Sequence, residues 1–463
     1  MRYISTRGQA PALDFEGAML TGLARDGGLY LPERIPALTE AEIAALAFQP
    51  YEQVAARIIA PFLGESFSEA ELTGAIDRAH ESFAHPARAP LAQIGPGHFL
   101  LELFHGPTLA FKDFAMQLIG QLFALSLGRS GRRLTIIGAT SGDTGSAAIE
   151  AFAGLAGVDV VILFPKGRVS EVQRRQMTTP EAANVHAVAL EGDFDDCQAA
   201  VKALFADDAF RREVGLAAVN SINWARILAQ TVYYFTAATA LGAPGRAVSF
   251  TVPTGNFGDI FAGEVARRMG LPIDRLVIAT NRNDILARAL ATGRYERRGV
   301  TTTISPSMDI QVASNFERAL FMAQGGDADA VRRDMAALAQ SGAFTMSEAA
   351  HRALSALYAA GSADEAATHA AIARIRDRTG GLICPHTAVG VAVGEGHQGA
   401  SAPMVTLATA HPAKFPDAVE AATGTRPALP PHLARLHDLP ERAIELPNDL
   451  DALKSLIRKE RAA

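Results

Sequence analysis

Lysine is scarce in this chain. Among 43 Lys and Arg residues the lysines are Lys112, Lys166, Lys202, Lys414, Lys454 and Lys459, and arginine supplies the rest. Cysteine is scarcer still. Cys197 and Cys384 are too few for a disulfide framework or a cysteine metal cluster. His80-Glu81 with His85 has the wrong spacing for two ligands on one helix face, so no metal is expected. Charge of one sign is also lacking: the net charge is −6, and the pairs Arg132-Arg133, Arg174-Arg175, Arg267-Arg268 and Arg297-Arg298 are scattered. That excludes a basic face for nucleic acid. Long apolar runs are missing, since Ile227 to Leu241 is interrupted by polar residues and too short to span a bilayer. Met1 to Arg7 leads into no apolar signal-peptide core. A cytoplasmic protein, with neither membrane nor nucleic acid as partner, is expected.

A length of 463 residues is more than one core usually serves, and 49% hydrophobic with 20% charged residues describes a globular protein. Residues 1–95 read as a mostly helical region, with amphipathic stretches at Thr39–Leu46 and Tyr51–Ile59 punctuated by Gly27-Gly28, Pro32, Pro36 and Pro50. Beyond it, short apolar runs alternate with amphipathic ones. Strands are expected at His98–Phe104, Leu134–Gly138, Val158–Phe164, Val185–Leu190, Ala247–Val252, Leu276–Thr280 and Met404–Ala408. Helices are expected at Thr108–Leu127, Thr144–Ala156, Phe194–Phe205, Trp224–Leu241 and Phe257–Met269. This alternation predicts two mostly parallel α/β domains, at 96–225 and 226–463, with ligands bound beyond the carboxyl ends of the strands. A helical insertion is expected at about 294–375, a turn at Gly361–Asp364, a proline-rich surface loop over 424–448 and a closing helix at Asp449–Arg458.

One lysine sits where chemistry is plausible. Lys112, in Glu102-Leu103-Phe104-His105-Gly106-Pro107-Thr108-Leu109-Ala110-Phe111-Lys112-Asp113-Phe114, lies at an apolar strand-to-helix junction. Arginine stays protonated when desolvated, whereas lysine can lose its proton and attack a carbonyl. The plainer alternative is a lysine whose stem lies on the core and whose ammonium reaches water. Two segments run from strand through glycine turn into helix: Gly138-Ala139-Thr140-Ser141-Gly142-Asp143-Thr144-Gly145 and Pro253-Thr254-Gly255-Asn256-Phe257-Gly258-Asp259. Orphan N–H groups at helix starts attract anions, and glycines let the backbone come close. Neither segment has a nucleotide-binding fingerprint. Two such cradles with one suspicious lysine suit a phosphate and a carboxylate. A third cluster, Asn220-Ser221-Ile222-Asn223-Trp224-Ala225-Arg226, puts an arginine in a helix's first turn, where only an anion or a nearby carboxylate suits it. A fourth, Thr406-Leu407-Ala408-Thr409-Ala410-His411-Pro412-Ala413-Lys414, sets hydroxyls at a strand's end, where a pyridine nitrogen could accept a hydrogen bond.

These pieces, in this order, resemble the threonine synthase family, and in particular its longer branch. The match runs nearly end to end. It takes in Tyr3–Arg7, Asp26–Tyr30, the Lys112 stretch, both cradles, Asn220–Arg226, Ser305–Asp309, Ser314–Arg318 and Thr409–Phe415. The resemblance implies a fold-type II pyridoxal-phosphate enzyme, similar in fold to the tryptophan synthase β chain. It implies that Lys112 carries pyridoxal 5′-phosphate as a Schiff base and acts in catalysis. Gly255, Asn256, Phe257, Gly258 and Asp259 would hold the cofactor phosphate, and Thr409, or failing it Thr406, would meet the pyridine nitrogen. Ser141, Gly142, Asp143 and Thr144 would hold the substrate carboxylate, and Ser221, Asn223 and Arg226 the substrate phosphate. Many fold-type II enzymes have Asn where this chain has Asp143, which leaves the contact to the cofactor phenolate open at that position. The implied reaction converts O-phospho-L-homoserine and water to L-threonine and phosphate by γ-elimination and β-addition, in a monomer or homodimer. The rivals are another fold-type II enzyme, such as a serine or threonine dehydratase or a cysteine synthase, and a non-catalytic homologue that binds the cofactor or a phosphorylated metabolite.

Overall fold

The computed structural model describes residues 1–140, 142–399 and 401–462. Two sheets carry the α/β part. The larger has six strands in the order Tyr358–Ser362, Ile273–Thr280, Val248–Pro253, Met404–Ala408, His98–Glu102 and Leu91–Gly95. All its neighbours are parallel except the final hairpin. The smaller is wholly parallel: Ile444–Leu446, Val185–Leu190, Val158–Pro165, Leu134–Ala139 and Leu216–Ala217. Val158–Pro165 is buried at every position, the continuous apolar run of a strand covered on both faces. The seven strands expected from apolar runs all form, with ends shifted by a few residues.

The sheets do not follow the division at 95/96 and 225/226. His98–Glu102 and the helix Lys112–Ser130 lie between the expected boundaries, yet that strand belongs to the larger sheet. Ile444–Leu446, near the other end of the chain, pairs with Val188–Leu190 in the smaller one. Local apolar pattern marks a strand but carries no information on its distant partner. Two further expectations are corrected. The predicted turn at Gly361–Asp364 is the end of strand Tyr358–Ser362, and a Cβ on Gly361 would meet Val393 at 2.8 Å. The proline-rich 424–448 segment contains the strand Ile444–Leu446 rather than loop alone.

The N-terminal region is mostly helical, with one small hairpin-like pair, Tyr3–Ser5 against Tyr30–Pro32. A buried guanidinium is one of the contacts that fasten it to the rest. Arg318 donates to the Tyr30 carbonyl at 3.0 and 2.7 Å, to the Ile222 carbonyl at 2.6 Å, and to Asn315 Oδ1. Arg318→Met leaves these buried acceptors without donors, each costing about 1–3 kcal/mol. Its urea unfolding midpoint is expected to drop, with the slope unchanged.

Candidate active site

The carboxyl ends of Leu134–Ala139, Leu216–Ala217 and Val248–Pro253, with Thr409 just after Met404–Ala408, reach one cleft of about 1510 Å³. The loop bearing Lys112 is zipped along the segment that follows Met404–Ala408: Leu103 N donates to Ala408 O, Phe111 N to Thr409 O and His411 N to Leu109 O, at 2.9–3.0 Å. The helix expected from Thr108 starts only at Lys112. Thr108 instead donates its N–H and hydroxyl to the Asp113 carboxylate, and Leu109 takes φ +63°. This fold-back delivers Lys112 into the cleft beside Thr409, with Nζ 4.7 Å from the Phe111 ring centroid. Thr406 faces away from the cleft, its hydroxyl bonded to His98 Nε2 at 2.8 Å and fully buried.

Lys112 Nζ donates to Asp143 Oδ2 at 3.3 Å. Burial pulls the lysine's pKa down, with Asp143 opposing and Lys414 and Arg226 adding to the fall. Asp143 is the first residue of helix Asp143–Phe152, and its carboxylate is crowded with donors. Lys414 Nζ lies 2.9 Å from Oδ1, Gln173 Nε2 donates to Oδ1 at 2.8 Å, and Ser307 Oγ stands 3.5 Å from Oδ2. Burial alone would raise the Asp143 pKa, but Lys414, Lys112 and His386 together hold it far below the usual carboxylate range. Gly142 precedes it at φ +136°, and a Cβ there would strike the Gln173 amide at 2.3 Å, so only glycine lets that amide reach the carboxylate. Ser141 lies outside the described residues. Thr144 lines the cleft.

The second cradle, Gly255 to Asp259, also lines the cleft. A Cβ on Gly255 would sit 2.5 Å from the Ser307 carbonyl, and Phe257 holds φ +64° as the cap of helix Gly258–Arg268. The Asn256 carbonyl accepts from Asn315 N at 3.0 Å and from its side-chain amide at 3.1 Å. Tyr233 and Tyr234 hydroxyls donate to Asp259 Oδ1 at 2.5 and 3.3 Å, while Oδ2 is buried without a protein partner. Burial raises the Asp259 pKa to about 7, against the tyrosine hydroxyls, Lys112 and Arg226. A carboxyl raised from 3.8 to about 7 is ionised in the unfolded chain but neutral in the folded one between those values. Folding then takes up a proton, so this group's contribution is full at low pH and lost as pH rises through 7, by at most about 4 kcal/mol. Asp259→Asn is expected to flatten that part of the stability profile of the cofactor-free protein, measured by urea unfolding at several pH values.

The Asn220–Arg226 cluster divides in the structure. Ser221 and Arg226 line the cleft. Arg226 is buried, with Nη1 on the Val219 carbonyl at 3.3 Å and Nε unpartnered, and burial lowers its pKa to about 10. Asn223 is turned elsewhere: its oxygen caps helix Trp224–Ala240 at Ala225 N, 3.1 Å, and its amide donates to Met19 O at 2.8 Å. Among the site residues, sequence reasoning missed Gln173, Ser307 and His386, which carry no local signal. Lys414 carried the same signal as Lys112, being a rare lysine at the end of a strand-loop segment. Arg7 and Glu317, paired at 2.9 and 3.0 Å, also line the cleft and bring the N-terminal region to its rim.

Known proteins match this chain over nearly all its length. The family described as "Threonine synthase N terminus" matches residues 2–80, "Pyridoxal-phosphate dependent enzyme" residues 86–365, and "Threonine synthase, C-terminal" residues 387–457. The chain is 52% identical over 459 residues to a threonine synthase of Pseudomonas aeruginosa, covering 99% of this chain and 98% of that one. In structure it is similar to the pyridoxal-phosphate-bound threonine synthase from Brucella melitensis, with TM-score 0.97, 54% identity and all of both chains covered. The yeast threonine synthase follows, with TM-score 0.94, 38% identity and 100% and 99% covered.

Proposed function

This chain belongs to the threonine synthase family of pyridoxal-phosphate-dependent enzymes, and from that premise we propose that it converts O-phospho-L-homoserine and water to L-threonine and phosphate in the cytoplasm. The observation that carries the proposal is a cleft lined by the buried Lys112, two anion cradles and the buried Arg226. The cofactor fits this cleft. Lys112 would hold it covalently, Gly255 to Asp259 would take its phosphate, and Thr409 would meet its pyridine nitrogen. Asp259 supports the phosphate assignment, because a carboxyl raised by burial to about 7 has a proton to share, and the unpartnered Oδ2 can donate it to a phosphate oxygen. The bound cofactor supplies a conjugated ring that spreads negative charge from the substrate's α-carbon.

The chain's own residues then divide the work. Gly142 to Thr144 stand at the start of a helix whose dipole suits the substrate carboxylate, with Thr140 Oγ1 holding the turn through the N–H groups of Gly142 and Gly145 at 2.9 and 3.0 Å. Ser221 and Arg226 lie where a leaving phosphate gains charge as its bond breaks, and Arg226 Nε, buried without an acceptor, would be satisfied by it. Lys112 Nζ, once released, takes the α-proton as a neutral amine and returns it later. Asn223 supports this site as the cap that orients Arg226's helix, not as a ligand. The chain would act as a monomer or a homodimer. The test is phosphate release from O-phospho-L-homoserine by the cofactor-loaded protein, with the amino-acid product identified. Equal amounts of phosphate and threonine are expected. A protein that keeps its cofactor absorbance band and releases no phosphate would overturn the substrate assignment.

A further inference from the structure

One carboxylate in this cleft faces two lysines. Lys414 Nζ is wholly buried, 2.9 Å from Asp143 Oδ1, and donates to the Thr108 carbonyl at 2.7 Å. Lys112 Nζ approaches the other oxygen, Oδ2, at the longer distance of 3.3 Å. An unneutralised ammonium away from water costs several kcal/mol, so a single carboxylate sustains a single ammonium. Lys414 has the shorter ion pair and a second acceptor. We infer that Lys414 is a positioning residue that takes up the charge of Asp143 and so leaves Lys112 as the neutral amine. The inference rests on the assignment of Lys112 as the residue that captures the cofactor.

The neutral amine is the form the capture needs. Its lone pair forms the C–N bond to the cofactor's aldehyde carbon, and its two protons leave with the carbonyl oxygen as one water. The remaining groups around Lys112 and Asp143 are consistent with this division. His386, on helix Pro385–Glu395, has its pKa lowered by burial to about 4 and is neutral at pH 7. Cys384 at the same helix start is pushed up by burial and keeps its proton. Asp259 is raised to about 7, and Arg226 adds positive charge against a second ammonium. Asp113, behind Lys414, is raised to about 6 by burial, and Lys414 draws it back down.

The experiment uses cofactor-free full-length protein and follows the rate at which added pyridoxal 5′-phosphate is captured, read from the growth of its absorbance band across pH. Each variant is first shown to bind pyridoxamine phosphate, which has no aldehyde and reports an intact pocket. Lys414→Met hands the Asp143 charge to Lys112. The midpoint of the capture profile is expected to move up by about one pH unit, with capture about tenfold slower at pH 7. Asp143→Asn removes the charge altogether, so its midpoint is expected below that of the unsubstituted chain, and adding it to Lys414→Met is expected to reverse the upward shift. A Lys414→Met profile that coincides with the unsubstituted one overturns the inference. Should that variant lose the pocket, Asp143→Asn decides alone, and a midpoint unchanged or raised overturns it. Lys112→Ala separates the two levels. Capture that persists in it refutes the Lys112 assignment, and capture lost in it with Lys414→Met unshifted refutes only the role of Lys414.

Discussion

Replacing Lys112 with alanine is expected to lower phosphate release from O-phospho-L-homoserine at least about a thousandfold, and to remove the absorbance band of covalently held cofactor. Both consequences follow from one atom. Nζ is the buried amine that the fold-back of residues 103–111 delivers into the cleft that Thr409 also lines. Losing it removes the covalent link and the base at the α-carbon together, and a positioned base alone contributes on the order of 10²–10⁴. The fold should tolerate the change. Taking away the Lys112 amine leaves the Lys414–Asp143 ion pair intact at 2.9 Å. Circular dichroism should therefore match the unsubstituted chain while turnover vanishes. Turnover retained with a normal band would place the chemistry on another residue.

The second large effect is expected at Arg226. Alanine there should raise the KM for O-phospho-L-homoserine by about 30- to 150-fold, the equivalent of a charged hydrogen bond worth about 2–3 kcal/mol, with cofactor affinity changed far less. The asymmetry comes from position. Arg226 lies on helix Trp224–Ala240, whereas the cradle proposed for the cofactor phosphate is Gly255 to Asp259 on a different loop. Its Nε is buried with no protein acceptor, an arrangement that costs stability unless an anion arrives. Stability of the free protein is accordingly expected to hold or rise slightly in Arg226→Ala, since a desolvated cation is removed. Substrate and cofactor binding weakened by the same factor would mean that Arg226 serves the other phosphate.

Much of this was legible in the sequence, though unevenly. Lys112, the two glycine cradles and Arg226 announced themselves because each is chemically out of place locally: a lysine among apolar residues, glycines at strand ends, a cation at a helix start. Asn223 shows the limit of such signals. In sequence it sits inside a polar cluster, and only the structure reveals that its amide is occupied by Met19 and its oxygen by Ala225. Gln173, Ser307 and His386 meet Asp143 from segments 30, 164 and more than 200 residues away, a convergence no local pattern encodes. The same distance between partners accounts for the domain boundaries. The apolar runs marked the strands, but which sheet each joined depended on pairing across hundreds of residues.

That long-range pairing bears on how the protein is made. The strand His98–Glu102, from which the Lys112 loop departs, pairs on its inner side only with Met404–Ala408, and Val248–Pro253 meets the same late strand from the other side. During synthesis both must wait with an open hydrogen-bonding edge, the first while about 300 residues emerge and the second while about 150 do, exposed to pairing with the wrong chain. The last edge of the smaller sheet is covered later still, by Ile444–Leu446. No nascent or prematurely terminated chain that stops short of residue 404 can set Lys112 beside Thr409. A chain that ends before Met404–Ala408 lacks the segment along which the Lys112 loop is zipped, so the site forms only once the late strand has joined the sheet.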